Sequence, residues 1–217
     1  MDVLNRTMRR MVSDGVVRQK TLKREIECTG IALHSGLTVK MRIGAAAPDS
    51  GIYFRRVDVD PKIGEVEACH DNVVDTRLCT TIANEHGVKV STIEHLMAAF
   101  AGAEIDNAVV EVDGEEVPVM DGSAAPFFKM IEDAGVMVQG LPRKAIRILR
   151  TVSVRDKSKF LKVEPADQAM VNLEIEFKCD SIGRQSLAVP VTKDAFRDYI
   201  ADARTFGFLR EVEALRA

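Results

Sequence analysis

The densest chemistry in the sequence sits in the adjacent pair Glu94-His95. Hydrolytic metal sites need a neutral imidazole on the metal and a nearby carboxylate to take a proton from the bound water. Neighbours on a helix diverge by about 100°, so such a pair can approach one water from two directions. Glu94 also has a purely structural reading. Ser91-Thr92-Ile93-Glu94 matches the capping box, in which a serine oxygen and a glutamate carboxylate satisfy the unpaired amides of a helix's first turn. A single histidine, moreover, cannot hold a zinc ion.

The remaining candidates are weaker. Cys69-His70 joins two zinc-ligand types, but side chains of neighbours in a strand or turn point apart, which favours a surface loop. His86 in Asn84-Glu85-His86-Gly87 reads as a solvated turn residue, and His34 in Leu33-His34-Ser35-Gly36 as a turn residue near a pocket or simply in solvent. Cys79 is a nucleophile only if a histidine activates it, and otherwise a half-buried strand cysteine. Thr205, in Ala203-Arg204-Thr205-Phe206-Gly207-Phe208, could donate to a developing oxyanion. The same stretch also suits a helix C-terminal turn with Gly207 as the stop and Phe206 and Phe208 in the core.

The elements that must position these residues follow from periodicity. Val39, Met41 and Ile43 alternate with polar neighbours, as do Ile52 and Phe54, and Pro48-Asp49-Ser50-Gly51 between them predicts an antiparallel pair with one buried face. Further strands are expected at 80–83, 88–90 and 108–112. A helix is predicted from Ser91 to about Gly102, with Ile93, Leu96, Met97 and Phe100 as its core stripe. Glu94 and His95 then point toward Ala98 and Ala99, small residues that leave room for something to pack close. A short helix opens at Pro126 and closes at Gly135.

Val136 to Lys144, with Gly140 and Pro142, reads as a domain boundary. Strands at 145–154, 160–163, 171–177 and 186–189 follow, then a helix capped by Thr192 with Phe196, Tyr199 and Ile200 on its apolar face. Both halves run strands first and helix after, an α+β pattern that hints at two copies of one unit. The expected divisions are an N-terminal extension over 1–20, a first domain over 21–139 and a second over 140–217.

Composition bounds the possibilities. The chain has 217 residues, 46% of them hydrophobic, and a formal net charge of -3. That is enough to bury a core, and it leaves no chain-wide positive field for nucleic acid or an anionic membrane. Cys28, Cys69, Cys79 and Cys179 form no CxxC pair, which fits a reducing compartment, with the cytoplasm as the default. No stretch approaches the roughly 20 apolar residues of a membrane span. Neither a P-loop nor a GxGxxG pattern is present.

Taken together, Thr29-Gly30-Ile31-Ala32-Leu33-His34-Ser35-Gly36, Leu78-Cys79-Thr80, Ser91-Thr92-Ile93-Glu94-His95-Leu96, Ile105-Asp106-Asn107, Pro118 through Phe127 and the block ending at Phe208 carry a resemblance. In order and spacing they resemble the UDP-3-O-acyl-N-acetylglucosamine deacetylase family, zinc amidases of lipid A biosynthesis. The resemblance implies two similar two-layer α/β sandwich domains of the ribosomal-S5-domain-2-like kind, facing each other across a cleft. It implies His95 as a zinc ligand, Glu94 as general base, Thr205 as an oxyanion donor, and Leu78, Cys79 and Phe206 as a substrate wall. The implied reaction is hydrolysis of the N-acetyl amide of a UDP-linked acylated amino sugar, with release of acetate.

In that family two further zinc ligands belong to a His-Lys-x-x-Asp motif placed after the Arg-Thr-Phe-Gly-Phe block, and a general-acid histidine follows. These positions are expected downstream of Ala217, so the chain is expected to be truncated, with its second domain incomplete and without turnover. The alternative expectation is a non-catalytic short form that binds a nucleotide-sugar, an acyl ligand or a protein partner.

Overall fold

Alternation of apolar and polar residues sets the strands of the computed structural model, which describes residues 16–209. Strand β1 (Arg18–Leu22) is followed by β2 (Ile26–Ile31), β3 (Thr38–Ala45), β4 (Ile52–Arg56) and β5 (Glu65–Glu67). Strands β6 (Val73–Asp75), β7 (Thr81–Ala83) and β8 (Lys89–Val90) lead to helix α1 (Glu94–Gly102), then β9 (Ala108–Val112), helix α2 (Ala125–Ala134) and β10 (Val136–Pro142). The main sheet has five strands in the order β2-β3-β9-β4-β5. β3 and β4 are therefore not the expected neighbours: β9 lies between them, antiparallel to β3 and parallel to β4. Ala108, Val110 and Val112 are fully buried, so the most apolar strand takes the centre, and the 46–51 connection steps over it.

One face of this sheet is core. Met41, Ile43, Phe54, Val66, Val110 and Val112 meet Leu96 and Phe100 of α1 and Phe127 and Ile131 of α2 in one buried cluster. Burying each such side chain stabilises by about 1.5–3 kcal/mol. The other face carries an ion ladder: Arg42 reaches Glu111 at 2.5 Å, and Arg55 reaches Glu111 at 3.0 Å and Glu65 at 2.7 Å. Solvent-facing pairs of this kind contribute at most about 1 kcal/mol each, so the apolar face holds the layers together.

The strand β10 crosses the expected boundary at 139/140. It pairs antiparallel with β1, which itself begins inside the expected extension; residues 1–15 of that extension lie outside the described residues. A buried amide cluster fastens this ribbon to the sheet. Asn107 donates to Gln19 Oε1 at 2.8 Å and to Gln139 Oε1 at 2.7 Å, and accepts from Gly51 N at 2.9 Å. Gln139 in turn donates to Ala46 O at 2.8 Å. Next to it, Asp106 accepts from Lys20 N and from Arg143, which explains why an Asp-Asn pair follows Ile105. Apolar residues at 19, 107 and 139 would close the same gap without fixing the register of β1.

Beyond β10 the structure is α+β but more open. β11 (Val152–Asp156) pairs with β12 (Lys159–Val163), and β13 (Met170–Glu176) with β14 (Arg184–Pro190), as two separate hairpins. The strand expected from 145 begins only at Val152. The second sandwich is not assembled among the described residues, because each hairpin satisfies its own inner edge while its outer edge lacks a strand from elsewhere in the chain. Val152, Val154, Leu161 and Val163 accordingly remain exposed. Thr192 caps as expected, its side chain accepting from Ala195 N at 3.2 Å; the helical turn Lys193–Ala195 then continues as the π-helical segment Phe196–Ile200. No helix among the described residues is long and apolar enough to cross a membrane.

Two ion pairs make stability pH-dependent. The guanidinium of Arg56, bonded to both oxygens of Asp58 at 2.7 Å, holds the Asp58 carboxyl below the usual range, and a hydrogen bond from Lys20 does the same for Glu104. A carboxyl whose folded pKa is depressed stabilises fully above its unfolded value of about 4 and loses that contribution as pH falls through the folded value. The melting temperature is therefore expected to hold steady down to about pH 5 and to drop below about pH 4. Thermal melts between pH 2 and 7 check this, and a flat Tm below pH 4 would count against these pairs.

Candidate active site

The path into α1 decides what Glu94 does. Ser91 forms a parallel bridge with Glu116 and accepts a hydrogen bond from Thr81 Oγ1 at 3.0 Å, so it is not free to cap. Thr92 then takes a φ of 57°, and the helix starts at Glu94 with Ile93 as an N-cap lacking any side-chain hydrogen bond. The expected capping box is therefore not formed. A β-branched residue in the left-handed region is costly, of order 1–3 kcal/mol, and persists only when its surroundings hold it.

Glu116 is what holds it. This carboxylate is only 4% exposed, accepts from Thr92 Oγ1 at 2.9 Å, and takes the main-chain amides of His34 at 3.0 Å and Ser35 at 3.2 Å. One side chain thus ties the Leu33-His34-Ser35-Gly36 turn to the entrance of α1. Nothing in the sequence marks it: Glu115-Glu116 reads as a solvated acidic pair, and only burial separates the two. Replacing Glu116 by Gln puts an amide donor where three donors already converge, and should destabilise by about 2–4 kcal/mol in chemical denaturation. A change below about 0.5 kcal/mol would remove Glu116 from this role.

Released from capping, the Glu94 carboxylate uses Oε2 to accept from Thr80 N at 2.9 Å, while Oε1 lies 4.0 Å from His95 Nε2. The His95 side chain is 15% exposed and that of Glu94 36%, so the imidazole is sheltered while the carboxylate stays open to water. Thr80 follows Leu78 and Cys79. Leu78 is 79% exposed at a φ of 67°, a second strained position, two residues before the Thr80 amide. Cys79 is half-buried with its Sγ 3.7 Å from Thr81 Oγ1, just before β7 rather than within it.

Leu78 and Cys79 also line a cavity of about 580 Å³, together with His34, Ser91, Glu115 and Glu116. Glu94 and His95 are not in its wall. Thr205 and Phe206 come from the other half. Thr205 N donates to Gly122 O at 2.9 Å, and Phe206 is exposed and stacks edge-on against Phe177 at 5.4 Å and Phe208 at 6.0 Å. Phe206 is thus part of an aromatic cluster of the second half rather than of the main core. Of the weaker candidates, His70 and His86 are exposed and lie beside Asp71 and Glu85.

Among the described residues no group of three or more His, Cys, Asp or Glu could hold a metal. His95 with Glu94 beside it provides one imidazole and one carboxylate, short of the three protein ligands of a catalytic zinc. The described residues therefore do not by themselves fit the ion.

Comparison with known proteins agrees along nearly the whole chain. A family model described as "LpxC: UDP-3-O-acyl N-acetylglycosamine deacetylase" matches residues 19–217. Proteins named UDP-3-O-acyl-N-acetylglucosamine deacetylase from Thioalkalivibrio sulfidiphilus and Chromobacterium violaceum are 45% and 44% identical over 203 residues, which is 93% of this chain and 66% of each relative. One of the same name from Phenylobacterium zucineum is 46% identical over 199 residues, 92% of this chain and 68% of the relative. The chain thus spans 66% of the length of the first two relatives, just under two thirds.

Proposed function

Because the chain belongs to the UDP-3-O-acyl-N-acetylglucosamine deacetylase family, we propose that it supplies the general base and one metal-binding imidazole of a cytoplasmic, zinc-dependent deacetylase of lipid A biosynthesis. The reaction is addition of water across the N-acetyl amide of a UDP-linked, 3-O-acylated glucosamine, giving acetate and the free amine. The observation that carries this reading is the state of Glu94: one carboxylate oxygen is anchored by Thr80 N, and the other is left beside His95 instead of closing a helix cap.

Glu94 Oε1 takes the proton of the attacking water, and protonation of the leaving nitrogen is left to the family's separate general-acid histidine. The Thr80 amide keeps that oxygen aimed during the transfer, which is worth more than its modest net bond energy. Thr205 donates its hydroxyl to the amide oxygen as negative charge gathers there. Leu78, Cys79 and Phe206 form the wall against which the sugar and its acyl chain lie, and residues 21–139 and 140–217 act as two units on either side of the substrate. His95 is assigned to zinc. No group of three ligands occurs among the described residues, so the remaining ligands are assigned outside them.

The test is acetate release from UDP-3-O-acyl-N-acetylglucosamine by the complete product of the gene, with zinc supplied. Zinc-dependent release is expected, and its absence would sink the reading. The second reading is a non-catalytic form that binds a nucleotide-sugar, an acyl ligand or a protein partner. Zinc titration of the 217-residue chain separates them, since tight stoichiometric binding contradicts the second reading.

A further inference from the structure

The small-residue face of α1 that carries His95 ends under a side chain from the other half of the protein. Gly102 is seven residues after His95, two turns along the same face, with Ala98 and Ala99 between them. The ring of Phe196 lies directly on Gly102: a Cβ there would overlap its Cδ1, Cγ and Cε1. The same ring packs against Phe128 of α2, with centroids 5.2 Å apart.

Two cations secure the seat on its Phe128 side. Lys193 Nζ and Arg197 lie over the Phe128 ring at 5.7 and 5.8 Å, and both then bond to Glu132 Oε1, at 3.0 and 2.7 Å. From Phe196 the chain runs to Ala201, whose carbonyl accepts from Ala124 N at 3.1 Å, and on to Thr205, whose amide donates to Gly122 O at 2.9 Å. The segment from Lys193 to Thr205 is thus tied to α2 and the turn before it at several points.

We propose that Phe196 is a positioning residue: wedged between Gly102 and Phe128, it fixes the 201–205 segment, and so the Thr205 hydroxyl, relative to the helix that presents Glu94 and His95. The catalytic consequence rests on the reading of Thr205 as oxyanion donor. The mechanical one does not. Packing of the ring between two helices anchors one end of a ten-residue span, and the Gly122 and Ala124 bonds align the rest. Without the anchor, those two main-chain bonds and the exposed Arg204–Asp121 pair at 3.5 Å are left to hold the segment. Displacements of about 1 Å in a catalytic group are enough to cost up to 100-fold in rate.

Amide hydrogen exchange on the 217-residue chain tests the mechanical part. In Phe196→Ala, the amides of Thr205 and Ala124 are expected to exchange at least about tenfold faster while those of the β3–β9 ladder are unchanged, and Phe196→Leu should restore most of the protection. Gly102→Ala, which fills the seat, should match Phe196→Ala, and the double variant should be no worse than either single change. Kinetics of the complete gene product test the rest: kcat falls roughly 10- to 100-fold in Phe196→Ala with KM within about twofold, again rescued by leucine.

Unchanged exchange at Thr205, or equal acceleration in the β3–β9 ladder, would overturn the proposal, as would faster exchange with unaltered kcat. If the wild-type gene product releases no acetate, the deacetylase reading has failed instead, and the exchange result still decides whether Phe196 holds the segment.

Discussion

Glu94→Gln is expected to lower kcat for acetate release by about 10²–10⁴-fold, the range for loss of a positioned general base. The substitution is close to isosteric. Its carbonyl oxygen can still accept from Thr80 N, as Oε2 does at 2.9 Å, so the turn before β7 keeps its bond and the fold should be unaffected within about 0.5 kcal/mol. What changes is the other atom: an amide nitrogen in place of Oε1 cannot accept the water's proton. KM should change little, because the carboxylate is placed to act on water rather than to hold the substrate. Glu94→Asp retains the base but withdraws it by about one bond length, so a smaller loss is expected. Turnover of Glu94→Gln within about twofold of the parent would dismiss the base assignment; a large loss of Tm with it would mean that Glu94 is chiefly structural.

The largest stability effect is expected at Asn107. Alanine there should destabilise by about 3–5 kcal/mol, summed from two groups left without partners and the space left by the side chain. The residue is 1% exposed, and its three hydrogen bonds are all to groups that have little access to water. Gln19 Oε1 keeps a bond from Asp49 N at 2.8 Å, but Gln139 Oε1 and Gly51 N lose the partner that Asn107 supplies. Urea unfolding measures the loss, and exchange at Lys20 N should rise with it, since Lys20 N bonds to the neighbouring Asp106 at 2.8 Å. A loss below about 1 kcal/mol would mean that the cluster contributes register only.

Much of the frame was legible from local pattern. The 108–112 strand, the helix opened by Pro126 and closed by Gly135 at a φ of 79°, and the cap at Thr192 all follow from alternation or from turn and cap chemistry, which act within a few residues. The family, too, was carried by short blocks such as Thr29 to Gly36 and Ser91 to Leu96, whose order survives along the chain. Misreadings arose where distant segments compete for the same groups. Ser91 has the composition of a cap, but Thr81 and the bridge to Glu116 claim it first.

The sequence alone therefore determined which residues can take part: a carboxylate next to an imidazole, alternating strands, and small residues on one face of a helix. The tertiary structure decided their state. It placed β9 between two strands that look like a hairpin, buried one of two adjacent glutamates, freed Glu94 from the helix end, and set Phe196 on Gly102. The reason is range: alternation and capping act over one turn or one strand, whereas burial and the sharing of hydrogen-bond donors depend on residues 24 to 94 positions away, as with Thr92 and Glu116 or Gly102 and Phe196.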